Sequence, residues 1–185
     1  MSGFLFAFIA LLVTGIGARD QLLVAALSHR RGQRPAVLLV GAASAALTAG
    51  IAAGGAALVI PMLNGNARLF LAALALGLAC AEMLIARASP TPREPTDSLG
   101  AFALVLFVQQ LTDAARFMLF GIAVATGAFL PAALGGAAGG AGVIAAGWIA
   151  AGALAQRSVV PLRRGLGAVL LLVAAVLALQ ATGRI

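Results

Sequence analysis

The sequence predicts an all-α integral membrane protein of six transmembrane helices, arranged as a 3+3 inverted-topology repeat. Three observations predict it. Of the 185 residues, 63% are hydrophobic and only 9% are charged, whereas a soluble domain is roughly half apolar and a quarter charged. A soluble fold of this size has too high a surface-to-volume ratio to hide that much apolar area. Second, six apolar stretches reach the roughly 20 residues a helix needs to cross a bilayer. Third, the stretches form two groups of three, and an odd number of crossings sets the second group upside down relative to the first.

The six stretches are 3–28, 35–63, 67–86, 100–126, 129–155 and 162–182. The first begins Ser2-Gly3-Phe4 without the basic n-region of a signal peptide and is read as a retained span. Pro35, Pro61, Pro131 and Pro161 fall near helix ends, where a missing N–H costs little. The cluster Pro90, Pro92 and Pro95, with Arg93, Glu94 and Asp97, is the one polar linker of any length. It divides the chain into a first three-helix repeat (1–88), a linker (89–99) and a second three-helix repeat (100–185).

Arginine placement sets the orientation. The net charge of +7 comes from 12 arginines and no lysine. Arg30, Arg31, Arg34, Arg87, Arg93, Arg157, Arg163 and Arg164 fall on one side of the six-span drawing, and Arg68 and Arg184 on the other. The positive-inside rule then puts three loops in the cytoplasm and both termini outside it, in a cell inner (plasma) membrane. The compact Arg/Ala/Gly-rich chain suggests a bacterial, GC-rich source.

The composition excludes a soluble enzyme, a nucleic-acid module and a disordered tail. The basic charge sits in short loops between apolar runs, so the bilayer and not nucleic acid is the expected partner. Cys80 is single and is read as a small packing residue, and one histidine, His29, makes no zinc site of the usual kind. No His/carboxylate pair, nucleophile elbow or metal triad falls at membrane depth; Ser89 and Ser158 are loop residues. Neither an enzyme nor a cofactor is expected.

The two halves share an order of features: apolar run, polar interruption, apolar run, loop, proline, small-residue helix. Spans 2 and 5 are those small-residue helices, with Gly50-x-x-x-Gly54 in one and Gly135, Gly136, Gly139 and Gly140 in the other. Such spacing lets helix backbones approach closely in lipid. Packing within the chain is the first expectation, and a homodimer through these Gly-rich faces the second.

The interruptions carry the chemistry. Span 1 reads Thr14-Gly15-Ile16-Gly17-Ala18-Arg19-Asp20-Gln21 and span 4 reads Gln109-Gln110-Leu111-Thr112-Asp113-Ala114-Ala115-Arg116, each near mid-span. A charge there costs about 2.5–3.5 kcal/mol on insertion scales and marks function by default. Gln110, Asp113 and Arg116 are spaced to share one helix face, as are Thr14, Gly17 and Gln21. Gly15 and Gly17 weaken the helix and free carbonyls as ligands. The alternative is charge neutralisation: Arg19 with Asp20, Asp113 with Arg116, or the cross-pairs Asp113–Arg19 and Asp20–Arg116. Glu82, just inside span 3, is read as a partner of Arg87 or Arg163, with proton coupling as its functional alternative. Trp148 is read as a packing or lipid-facing ring, and His29 as an interfacial residue.

Paired interruptions in spans 1 and 4 of a six-span inverted repeat resemble the Gdt-type family, also called transmembrane protein 165-like. Its motif, once per repeat, is Glu-x-Gly-Asp-Lys/Arg-Ser/Thr-Gln. Ile16-Gly17, Arg19 and Gln21 match it in the first repeat, while Gly15, Ala18 and Asp20 stand where Glu, Asp and Ser/Thr are expected. In the second repeat Asp113 keeps the aspartate, Gln110 replaces the glutamate, and Thr112, Ala114, Ala115 and Arg116 depart. The run Phe117–Val124 is similar to what usually follows. The resemblance implies a divalent cation (Mn/Ca)/proton exchanger with Asp113 as its metal ligand. Asp113, Gln110, Thr112, Gly17, Gln21 and Asp20 would then line the ion pathway. One matching acid beside Arg19 and Arg116 makes a poor site for a divalent cation, which wants several carboxylate oxygens. The expectation is therefore a divergent transporter with an altered substrate, or a non-transporting structural or accessory protein that keeps the fold.

Overall fold

The computed structural model describes residues 2–85, 98–156 and 158–184. Those residues are helical, with no strand among them: α1 (Ser2–Thr14), α2 (Arg19–Arg31), α3 (Pro35–Val59), α4 (Gly65–Ile85), α5 (Leu99–Leu111), α6 (Ala114–Thr126), α7 (Phe129–Ile149), α8 (Ala151–Gln156) and α9 (Val160–Ala181). Most of the linker, with Arg87, Arg93 and Arg157, lies outside the described residues.

Among the described residues, four helices are long and apolar enough to cross a membrane: α3 with the 3-10 turn that follows it, α4, α7 and α9. The other two crossings are broken. α1 and α2 meet at 59°, and α5 and α6 at 53°, so the count reaches six when each bent pair is one span. This is an all-α membrane-embedded protein, and its spans follow the apolar stretches closely. Large side chains such as Leu39, Leu58, Leu104, Leu134 and Leu172 are exposed on its outer faces, as a protein solvated by lipid requires.

α3 packs along α7 and α4 along α9. α1 lies on α7 and α6, and α5 and α6 lie on α3. Glycine makes the first of these contacts close. A Cβ on Gly139 would sit 2.8 Å from the Phe8 carbonyl oxygen, and one on Gly135 would overlap the Phe4 carbonyl, so α7 meets the α1 backbone directly. The four span-5 glycines are buried inside the chain and are not available as a dimer face. Gly50 and Gly54 do point outward, with nothing near them.

Cys80 is buried in an apolar cluster with Leu76, Met118 and Ala174, as a small packing residue. Trp148 packs against a second cluster, while its indole N–H donates to the Arg34 carbonyl at 3.2 Å.

Candidate functional site

Both breaks form where the sequence offers the backbone an alternative to the helix. At the first, Gly17 adopts φ +71°, a left-handed conformation that ends the continuity of the turn. Gln21 then reaches back: its Oε1 accepts from the Gly17 N–H at 2.8 Å, satisfying a backbone donor in the break just before α2, and its Nε2 donates to the Val143 carbonyl at 3.3 Å. At the second break, Asp113 leaves the helix and caps α6, its Oδ2 accepting from the Ala115 N–H at 3.2 Å. A carboxylate that bonds its own downstream N–H competes with helix hydrogen bonding and favours an N-cap.

Gln110, Asp113 and Arg116 therefore do not share a continuous helix face. Gln110 lies in the last turn of α5, Asp113 is the cap, and Arg116 sits in the first turn of α6 beyond the bend.

The polar side chains form two clusters. In the first, Arg163 is at the centre with 4% exposure. Its Nη1 donates to the Thr14 carbonyl at 3.0 Å, and its Nη2 to Asp113 Oδ1 at 2.8 Å and to Glu82 Oε2 at 2.5 Å. Glu82 Oε1 accepts from Arg19 Nη2 at 3.0 Å. The cluster thus runs from the half-buried Arg19, with a side chain 36% exposed, to fully enclosed Asp113.

In the second, Asp20 Oδ1 accepts from the Gln21 N–H at 2.7 Å and Oδ2 from Gln110 Nε2 at 3.0 Å. Gln110 Oε1 accepts from Ser44 Oγ at 2.8 Å and from Thr48 Oγ1 at 3.3 Å. Arg116 Nε donates to Thr48 Oγ1 at 2.8 Å, and its Nη2 to the Ala45 carbonyl at 3.3 Å. Gln110 is wholly buried and bridges span 4 to both span 1 and span 2.

The structure brings together Asp20, Gln21, Gly17, Gln110, Asp113, Arg19, Arg116 and Glu82 around the two breaks. Of the five acids in the chain, the three outside the linker all take part. Thr112 does not. It is exposed, and its hydroxyl bonds back to the Val108 and Gln109 carbonyls of its own helix at 3.3 Å.

The expected charge pairs are corrected. Arg19 does not pair with Asp20 or Asp113, and Arg116 pairs with neither Asp113 nor Asp20. Arg19 starts α2 and extends to α4, where Glu82 lies, while the cap geometry turns Asp113 toward α9. Glu82 does pair with Arg163, one of its two expected partners. Arg163 itself, assigned from sequence to the edge of a cytoplasmic loop, points into the protein. Ser44 and Thr48 were also missed. Their signal was two hydroxyls at i, i+4 on an otherwise apolar helix.

Asp113 makes a poor metal ligand here, because both its oxygens already accept from protein donors. Among the described residues no group of three or more His, Cys, Asp or Glu is placed to hold a metal ion. No family model, curated protein or solved structure matches the chain.

Proposed function

We propose that this protein is an inner-membrane secondary transporter, built as two inverted three-span halves that move a small solute at the junction of the broken spans. It resembles the Gdt-type exchangers of Mn or Ca against protons in plan, with a changed solute. In this reading it is not an enzyme, and both termini lie outside the cytoplasm.

The observation that carries the proposal is the pair of breaks. Spans 1 and 4 are interrupted at corresponding places, and carboxylates stand at the starts of both α2 and α6. Discontinuous helices at matching positions of two halves are how membrane transporters expose backbone groups and helix termini to a solute at mid-bilayer. Four charged residues under 9% exposed, Asp20, Asp113, Arg116 and Arg163, gather there, and a charge at the centre of a membrane helix costs about 2.5–3.5 kcal/mol on insertion scales.

The packing pattern supports the repeat. α3 pairs with its counterpart α7, and α4 with its counterpart α9. α1 lies on α7 as α5 lies on α3, and α2 lies on α7 as α6 lies on α3. These are the exchanges expected of a pseudo-two-fold axis in the membrane plane. The halves differ where α4 packs on α6, since α2 packs instead on α8.

A second reading, an accessory protein that keeps the fold, is favoured by a specific observation. The carboxylates of Glu82 and Asp113 are already held in ion pairs, as a purely structural network would have them.

The experiment is site-directed labelling in proteoliposomes on a Cys80→Ala background. Ala18 is fully buried within the first break. A transporter visits states open to each side, so Ala18→Cys should react slowly with an impermeant thiol reagent added from either face. Labelling from neither face, with the protein folded, decides for the accessory reading.

A further inference from the structure

We infer that Glu82, Asp113 and the Thr14 carbonyl form a site for a monovalent guanidinium-type cation, which Arg163 fills with its own side chain in this state. The identity of the exchanging solute rests on the transporter reading; the site itself rests on geometry.

The three acceptors come from separate elements: the last residue of α1, the far end of α4 and the cap of α6. They converge on one guanidinium at 3.0, 2.5 and 2.8 Å. The Thr14 carbonyl belongs to the C-terminal end of a half-helix, where carbonyls lack intrahelical partners and the helix dipole is negative. It is an acceptor that the break itself creates. The guanidinium arrives from outside both breaks, on the fourth residue of α9. It behaves as a tethered ion, held at the end of a flexible side chain, and emptying the site means moving that side chain, or α9 with it, away from the three acceptors.

Charge and shape name the class of ligand. The cluster holds two carboxylates and two guanidinium groups, one of them the partly exposed Arg19. Withdrawing Arg163 leaves one unpaired negative charge, which a monovalent cation balances and a divalent one overshoots. Planar N–H donors at hydrogen-bond distance suit acceptors spread over three elements. A hard metal ion wants six or more oxygens at about 2.0–2.6 Å, and among the described residues no cluster of metal-ligating side chains supplies them. The solute that exchanges with Arg163 is accordingly a small molecule with a guanidinium head.

The test empties the site and refills it. Purified Arg163→Ala is melted with millimolar methylguanidinium chloride, with tetramethylammonium chloride as a monovalent cation lacking N–H donors, and with MnCl2, all at matched ionic strength. Methylguanidinium should raise Tm by roughly 5–10 °C at about a hundred times its Kd. Tetramethylammonium and Mn²⁺ should not, and the response should be lost in Arg163→Ala/Glu82→Gln. No shift, an equal shift with tetramethylammonium, or a larger one with Mn²⁺ overturns the site.

Should Arg163→Ala not fold alone, its recovery as folded protein in methylguanidinium supports the site. Failure to recover, while Arg163→Lys folds, overturns it. A Tm response without methylguanidinium flux into liposomes keeps the site and removes guanidinium transport through it; flux without a Tm response keeps transport and removes the site.

Discussion

Neutralising Asp113 and neutralising Arg163 should not cost the same. Arg163 binds two carboxylates at once, at 2.8 Å and 2.5 Å, whereas Asp113 has one ion-pair partner and one backbone donor. Asp113→Asn leaves Arg163 paired with Glu82, so the loss is that of one charged hydrogen bond, about 1.5–3 kcal/mol. Arg163→Gln leaves two carboxylates, each at most 8% exposed as side chains, of which Glu82 keeps the partly exposed Arg19 as a salt-bridge partner and Asp113 loses its one direct ion pair. That is the uncompensated buried charge that costs about 3–5 kcal/mol. The double variant Asp113→Asn/Arg163→Gln retains the Glu82–Arg19 pair and should cost less than the sum of the singles, by roughly 0.5–3 kcal/mol of coupling. Thermal melts in detergent, read at about 2–4 °C per kcal/mol for a chain of this size, resolve the order. Arg163→Gln should melt lowest of the two singles, and adding Arg116→Gln to Asp113→Asn should rescue nothing. The reasoning is refuted if Asp113→Asn melts below Arg163→Gln, or if Arg116→Gln restores it.

Gly139→Ala should lose about 1–3 kcal/mol in the same melts, because its Cβ meets the Phe8 carbonyl. Gly54→Ala, whose Cβ faces open space, should be neutral or gain up to about 1 kcal/mol of helix propensity. Gln110→Leu strips partners from Asp20 and Ser44 and should cost about 1–3 kcal/mol for each buried group left unsatisfied. Thr112→Val should stay within about 0.5 kcal/mol of the parent; a large loss would mean that Thr112 turns inward. Impermeant labelling of Arg30→Cys and Arg68→Cys should come from opposite faces of the membrane, and labelling from the same face would break the six-span topology.

The spans and both interruptions were legible in the sequence because lipid imposes a simple code. Apolar runs of span length, with Pro35 and Pro131 opening the small-residue helices, leave few alternatives. Gly17 announced the first break because it permits positive φ; the break at Asp113 was not announced, since Gln110, Asp113 and Arg116 were expected on one continuous face, and only the structure shows Asp113 capping α6. The identity of the ion pairs was not legible. Periodicity puts Asp113 and Arg116 on one face only if the helix continues, and the 53° bend removes that premise. Arg163 was read as a loop charge because sequence position cannot tell a long side chain that reaches solvent from one that reaches inward. Four residues into α9, either course is available, and the carboxylates of Glu82 and Asp113 decide it. Ser44 and Thr48 went unremarked because small hydroxyls bond to their own helix in apolar spans, and their bonds with Gln110 and Arg116 are what make them part of the site.

Solute flux tests the central claim most directly. Parent protein and folded Asp113→Asn, reconstituted in parallel, are assayed for uptake of methylguanidinium, Mn²⁺ and Ca²⁺ into liposomes with and without a proton gradient. A transporter working at the two breaks gives saturable uptake of a cation by the parent, strongly reduced in Asp113→Asn and retained in Thr112→Val. Folded parent protein that moves none of these ions, or uptake indifferent to Asp113→Asn, contradicts it.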